Sequence, residues 1–283
     1  MKKTIVASIL FGASAFTLHA AHYAVEVMNY VAGTGAGSYT DPTKALGPAS
    51  GDPGFQIYSP FNPPFASSQL TAIGAGGSLT LRLENYVLID RTPGTFELGI
   101  WENVGLIDTD FVNGPLTGAT AGEFGSDYAK VEVSPDNVNW YSLNGGNRVL
   151  FDLPGNYYAN ATAPTTAPAN PVIADFGKPF TGSLSSFNNK NFSGVLGVLD
   201  GSAGGTWFNL DSVPAGVTQI GFVRFSDPLM GPGSTFPPVT DTLEIDMVAI
   251  NNNFVGPPTP EPGSATMLLC GFALCGFVRQ RRK

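Results

Sequence analysis

From Ser78 to Glu84 the chain alternates without interruption: Leu79, Leu81 and Leu83 fall on one side, Thr80, Arg82 and Glu84 on the other. A period of two is the side-chain repeat of an extended strand with one face in a core, and it cannot be placed on one stripe of a helix. Phe96, Leu98 and Ile100 repeat the pattern, as do Ala129, Val131 and Val133. Further strands are expected at Ala24–Asn29, Tyr86–Asp90, Val138–Leu143, Val217–Ser226 and Thr242–Ile250. The runs are broken by turn formers, and the 35 Gly and 23 Pro of the chain explain why none of them is long. Asp136-Asn137 reads as a turn by its own chemistry, since both side chains bond local backbone and Asn tolerates positive φ. The spacing offers one modest helix, Asp41–Leu46, with Asp41 as cap, Pro42 at the first helical position and Gly47 to end it. Many short strands with Gly and Pro turns predict an all-β fold, an antiparallel β-sandwich with long Gly/Pro-rich loops. Whether the body forms one large sandwich or two smaller modules stays open on this pattern alone.

The two ends do not belong to that body. Lys2 and Lys3 precede an apolar stretch from Ile5 to Leu18, followed by the small residues Ala20 and Ala21, so residues 1–20 read as a secretory signal peptide handed to the secretion translocon. At the other end, Pro260-Glu261-Pro262-Gly263 is followed by an apolar run of 14 residues, Ala265 to Val278. As a short C-terminal transmembrane helix that run covers roughly 21 Å, against a hydrocarbon core of about 30 Å. Arg279, Arg281, Arg282 and Lys283 then form a basic stop that holds the C-terminus on the cytoplasmic side.

Excluding both ends leaves a body of residues 21–258 whose composition rules out much chemistry. Of the 14 Lys and Arg, two lie in the signal and four in the tail, leaving 8; of the 22 Asp and Glu only Glu261 lies outside, leaving 21, so the body is about 13 units negative. Such a surface repels phosphate backbones, and no nucleic-acid partner is expected. Cys270 and Cys275 both lie in the apolar tail, His19 in the signal, and His22 beside the new N-terminus. The body therefore has no thiol nucleophile, no disulfide and no internal imidazole. Ser-His-Asp and Cys-His catalysis and multi-histidine zinc sites are excluded.

The order Pro260-Glu261-Pro262, apolar segment, arginine-rich end resembles the PEP-CTERM sorting signal of Gram-negative bacteria. The resemblance covers about 25 residues, 259–283, and implies processing by an exosortase-type membrane transpeptidase. It also implies an initial anchor in the inner membrane and delivery to the cell surface or extracellular matrix. A second resemblance runs through the body. Ala45-Leu46-Gly47-Pro48, Ile73 to Leu81, Ile100-Trp101-Glu102-Asn103, Ala129 to Tyr141 and Leu243 to Ala249 look like successive blocks of a bacterial cell-surface family similar to galactose-binding-like jelly rolls of the discoidin type. That spread implies one domain with an insertion near residues 152–216. Asn137 departs from the pattern where the turn usually has glycine, and Gly51–Leu70 is longer and richer in proline than expected.

Two kinds of side chain are candidates for function. Exposed aromatics stack on sugar rings, which singles out Trp101, Tyr141 and Trp207 as candidate glycan contacts. Of Trp140 and Tyr141, on opposite faces of one strand, one ring is expected in the core and the other on a rim. Glu97 and Glu102 flank one strand, while Glu244 and Asp246 share a face of the last one. Neighbouring acids repel unless a cation or donor lies between them, so these four are candidate ligands of a structural Ca2+, with solvated acids on an outer sheet face as the plainer reading. The expected function is an exported, non-catalytic surface or matrix protein that binds carbohydrate, extracellular polysaccharide among its partners, or acts as an adhesive. The alternative is a carboxylate-dependent polysaccharide-degrading enzyme, a glycoside hydrolase or lyase using a pair of acids.

Overall fold

The computed structural model describes residues 22–54, 56–109, 120–227, 242–251 and 253–256. The signal peptide and the sorting tail, with Pro260, Glu261, Pro262, Gly263 and the terminal basic cluster, lie outside these residues. Among the described residues no helix is long and apolar enough to cross a membrane.

The alternating runs become an antiparallel sheet that curls over its own inner face. One layer is formed by β4 (Leu98–Glu102) and β12 (Leu243–Ile250), flanked by β10 (Thr206–Phe208) on one side and β2 (Thr71–Ile73) on the other. The second layer is β3 (Ser78–Leu88), β11 (Gln219–Ser226) and β7 (Asp127–Ser134), with β8 (Tyr141–Ser142) and β9 (Val149–Phe151) on the outer edge of β7. β13 (Phe254–Val255) adds to the end of β3, and β5 (Gly105–Asp108) pairs with β6 (Thr120–Phe124) as a separate ribbon.

β1 (His22–Val31) joins the layers. Its first residues pair with β12 and the rest with β3, and register shifts at Ala24/Glu26 and Val27/Asn29 bend it between the two.

The alternation seen in the sequence decides what lies between the layers. Leu79, Leu81 and Leu83 of β3 and Val223 and Phe225 of β11 meet Leu98 and Ile100 of β4 and Val248 and Ile250 of β12, all buried. On the outer face of the second layer the polar partners form cross-strand ties. Glu132 accepts from Arg224 Nε at 2.9 Å and Nη2 at 2.7 Å, and from Lys130 at 3.1 Å. The Arg224 guanidinium also lies 4.2 Å from the centre of the Trp140 ring. Tyr141 packs toward the inner core, so the two neighbouring rings divide between faces as expected.

A second core covers the outer face of the first layer. Trp101 of β4, Met247 and Ala249 of β12 and Trp207 of β10 pack against Phe176, Phe180, Phe187, Val195 and Leu199, all contributed by the long segment after β9. That segment carries the one α-helix of the described residues, α1 (Phe192–Leu199). Asn191 caps it by accepting from Gly194 N–H, and Asp200 ends it in the left-handed conformation at φ 48°.

Two local expectations change. Asp41 does cap, accepting from Thr43 N–H, but Pro42–Ala45 is a single 3-10 turn, not an α-helix. The strand expected at Val138–Leu143 shrinks to Tyr141–Ser142, because Asp136 Oδ1 takes the N–H groups of Val138 and Asn139 for the turn. Asn137 occupies that turn at φ 62°, the conformation for which glycine is the usual residue. The same hydrogen bonds hold the Asp136 carboxyl down at about 2.

Candidate functional site

The two ends of the curled sheet meet without a backbone ladder. Phe208 on β10 and Phe151 on β9 approach with ring centroids 5.8 Å apart, and above them runs an open groove of about 520 Å3. Its walls are Leu143, Asn144 and Val149 from the second layer, facing Phe96, Trp207, Asn209 and Ser212 from the first. The lining thus mixes aromatic and aliphatic surface with amides and hydroxyls, and contains no carboxylate. Trp207 lines the groove, but its Nε1–H is already committed to the Gly204 carbonyl at 2.9 Å, and only 6% of the residue is exposed. Phe96 is half-buried, and Asn144, Asn209 and Ser212 are exposed.

Of the three aromatic candidates, Trp207 alone lines this groove. Trp101 is fully buried in the second core, donates Nε1–H to the Ala203 carbonyl at 2.9 Å and meets the Trp207 ring edge-on at 5.6 Å. It is a packing residue, because the segment after β9 covers the face that alternation left outside. Tyr141 is half-buried against the inner core. Sequence reasoning missed Phe96, Asn144 and Asn209, which lie far apart in the chain and meet only because the sheet curls.

The acids separate into three places, and three of the four are buried and not solvated. Glu97 is wholly buried and accepts from the Asp90 and Leu210 N–H groups, each at 3.0 Å. It ties two loops together, and burial lifts its carboxyl to about 7 against those bonds. Glu102, at the end of β4, is 2% exposed and neither carboxyl oxygen has a hydrogen-bond partner. Burial first, then the fields of Asp127, Glu244, Asp152 and Glu123, push its pKa well up. Glu244, half-buried beside it, accepts from Asn103 Nδ2; burial raises its carboxyl, and that hydrogen bond partly offsets the rise. Asp246 stands apart, turned out of the ladder by a β-bulge, and burial raises it to about 8.

Glu102, Glu244 and the Asn103 carbonyl are hard oxygen donors of the type calcium takes. Among the described residues, however, no three Asp, Glu, His or Cys side chains are gathered in a metal-holding geometry. Glu97 is directed elsewhere by its two backbone hydrogen bonds. A buried carboxyl next to four others is costly when ionised, so Glu102→Gln is expected to stabilise the protein by about 1–3 kcal/mol at pH 7. The amide keeps the shape and can donate to its acidic neighbours. Thermal unfolding should show a rise of roughly 2–4 °C per kcal/mol. A lower Tm, together with calcium stabilising only the wild type, would instead make the cluster a cation site.

Compared with known protein families and with curated proteins, the chain matches none.

Proposed function

We propose that this chain is an exported protein of the cell surface or extracellular matrix, sorted by an exosortase-type system, whose jelly-roll-like body binds polysaccharide without cleaving it. The observation that carries the reading is the lining of the seam groove: Phe96, Trp207 and Phe208 beside the exposed Asn144, Asn209 and Ser212. A sugar presents apolar C–H faces and alternating hydroxyls, so it needs apolar surface to lie on and groups that both donate and accept. The negative body disfavours acidic glycans, which leaves neutral polysaccharide as the substrate class. The Pro260-Glu261-Pro262 tail supports the address, independently of the groove.

The enzyme reading draws on the raised carboxyls, since a glycosidase needs one acid kept protonated near neutral pH. Glu97 and Glu102 have that property but do not line the groove. A binding assay with an added measurement of reducing ends separates the two. Removing two polar groups from the groove with the double variant Asn209→Ala, Ser212→Ala is expected to weaken glycan binding at least about 10-fold, the equivalent of one lost hydrogen bond of roughly 1.4 kcal/mol. Both residues are exposed, so folding is not at risk. Unchanged affinity in this variant would remove the groove from the account.

A further inference from the structure

On the side of the first layer, the groove wall is a loop, residues 209–217, which brings Asn209 and Ser212 into the lining. Within the loop the backbone closes two turns, Val213 N–H to the Leu210 carbonyl and Val217 N–H to the Pro214 carbonyl. Its inner side is held by Leu210 and Val213, both buried in the inner core. The rest of its support comes from the neighbouring loop between β3 and β4. Ile89 N–H donates to the Thr218 carbonyl at 3.0 Å, and the buried Glu97 carboxyl accepts from Leu210 N–H. From the same loop Arg91 reaches across and donates to three wall carbonyls at once: Asp211 at 3.3 Å, Pro214 at 3.1 Å and Val217 at 3.2 Å.

Three carbonyl oxygens turned toward one point repel one another. A guanidinium suits that point because it carries a positive charge and several N–H groups in a fixed plane. Arg91 is exposed and does not line the groove, so its bonds act on the wall and not on what the wall contacts.

We infer that Arg91 is a positioning residue for the groove: it fixes residues 209–217 in the arrangement in which Asn209 and Ser212 face the ligand. The inference rests on the reading of the groove as a polysaccharide site. A wall that holds the competent arrangement for only a fraction of the time lowers affinity by that fraction, whatever the ligand. Loss of Arg91 therefore weakens every bound glycan by one common factor, whereas loss of a direct contact weakens each glycan according to the bonds it makes.

Arg91→Ala and Arg91→Lys in the full chain test this, first without ligand. Amide hydrogen exchange at Leu210, Val213 and Val217 is expected to rise at least about 10-fold in Arg91→Ala, with β3 and β11 unchanged, and to take an intermediate value in Arg91→Lys. Dextran, a soluble β-glucan and a galactomannan are then titrated into wild type and variant. Those that the wild type binds should all weaken by the same factor of about 10 in Arg91→Ala. Unchanged exchange in the wall overturns the inference. So does a rise shared equally by β3 and β11, which would make Arg91 a general stabilising group. Affinities that stay at wild-type values, or fall by different factors for different glycans, overturn it as well. If the wild type binds none of these polysaccharides while the wall alone loosens in the variant, the reading of the groove fails and the hold of Arg91 on the wall stands.

Discussion

Replacing Trp101 with alanine is expected to destabilise the protein by about 3–5 kcal/mol, the range for removing a large buried aromatic. The indole is fully buried at the centre of the second core, with Phe176 5.5 Å away and Trp207 edge-on at 5.6 Å. The packing leaves no room to collapse: a Cβ added to Gly205, which sits at φ +76°, would lie 2.6 Å from the Trp101 ring, and one on Gly155 2.8 Å from it. Truncation also removes one of the two hydrogen bonds that the Ala203 carbonyl accepts, leaving the one from Asn156 N–H. Because this ring pins the segment after β9 to the first layer, that segment should loosen before the inner core does. Urea unfolding gives the stability, and hydrogen exchange should show residues 174–205 losing protection first. A change under about 1 kcal/mol would mean that the second core is not cooperative with the sheet.

Stability should fall as the solution is made alkaline. Glu97 and Asp246 have folded pKa values of about 7 and about 8, above their ordinary 4.5 and 3.8, and Glu102 lies higher than its ordinary value by the same mechanism. A carboxyl whose pKa rises on folding contributes its full stability below the unfolded value, and that contribution is lost as pH climbs through the folded value. Glu97 alone then contributes a loss of roughly 3 kcal/mol between about pH 4.5 and 7, at 1.36 kcal/mol per pH unit. Asp136, held down at about 2, acts in the opposite direction, but only where pH falls below about 4. Glu97 alone accounts for a Tm higher near pH 5 than near pH 8 by roughly 6–12 °C, and Asp246 adds to that difference. Asp246→Asn should flatten the upper part of that dependence. A Tm that is level or rises over this range would contradict the burial of these acids.

The sequence shows the inner core well because alternation is a local property. Leu79, Leu81 and Leu83 had to share a face, and β3 places all three between the layers. What alternation cannot show is whether the opposite face meets water. Trp101 lies on the outer side of the first layer and is buried by the segment after β9, distant in sequence, and Asp246 is buried as well. An aromatic that reads as a platform thereby becomes a packing residue, and acids that read as solvated become buried. α1 was hidden because Phe192–Leu199 contains two glycines and its start is signalled by Asn191 alone. The bulge at Asp246 leaves no mark in the sequence, since Ile245, Asp246 and Met247 continue an ordinary strand pattern. The groove depends on the meeting of β10 with β8 and β9, a consequence of sheet curvature that no short stretch encodes.

Binding of neutral polysaccharides to residues 21–258, measured on a glycan array and followed by assay of reducing ends on every hit, tests the central claim most directly. The account predicts binding to at least one neutral glycan, weakened about 10-fold or more by Asn209→Ala with Ser212→Ala, and no new reducing ends. New reducing ends in the bound glycan, or no binding to any glycan, would contradict it.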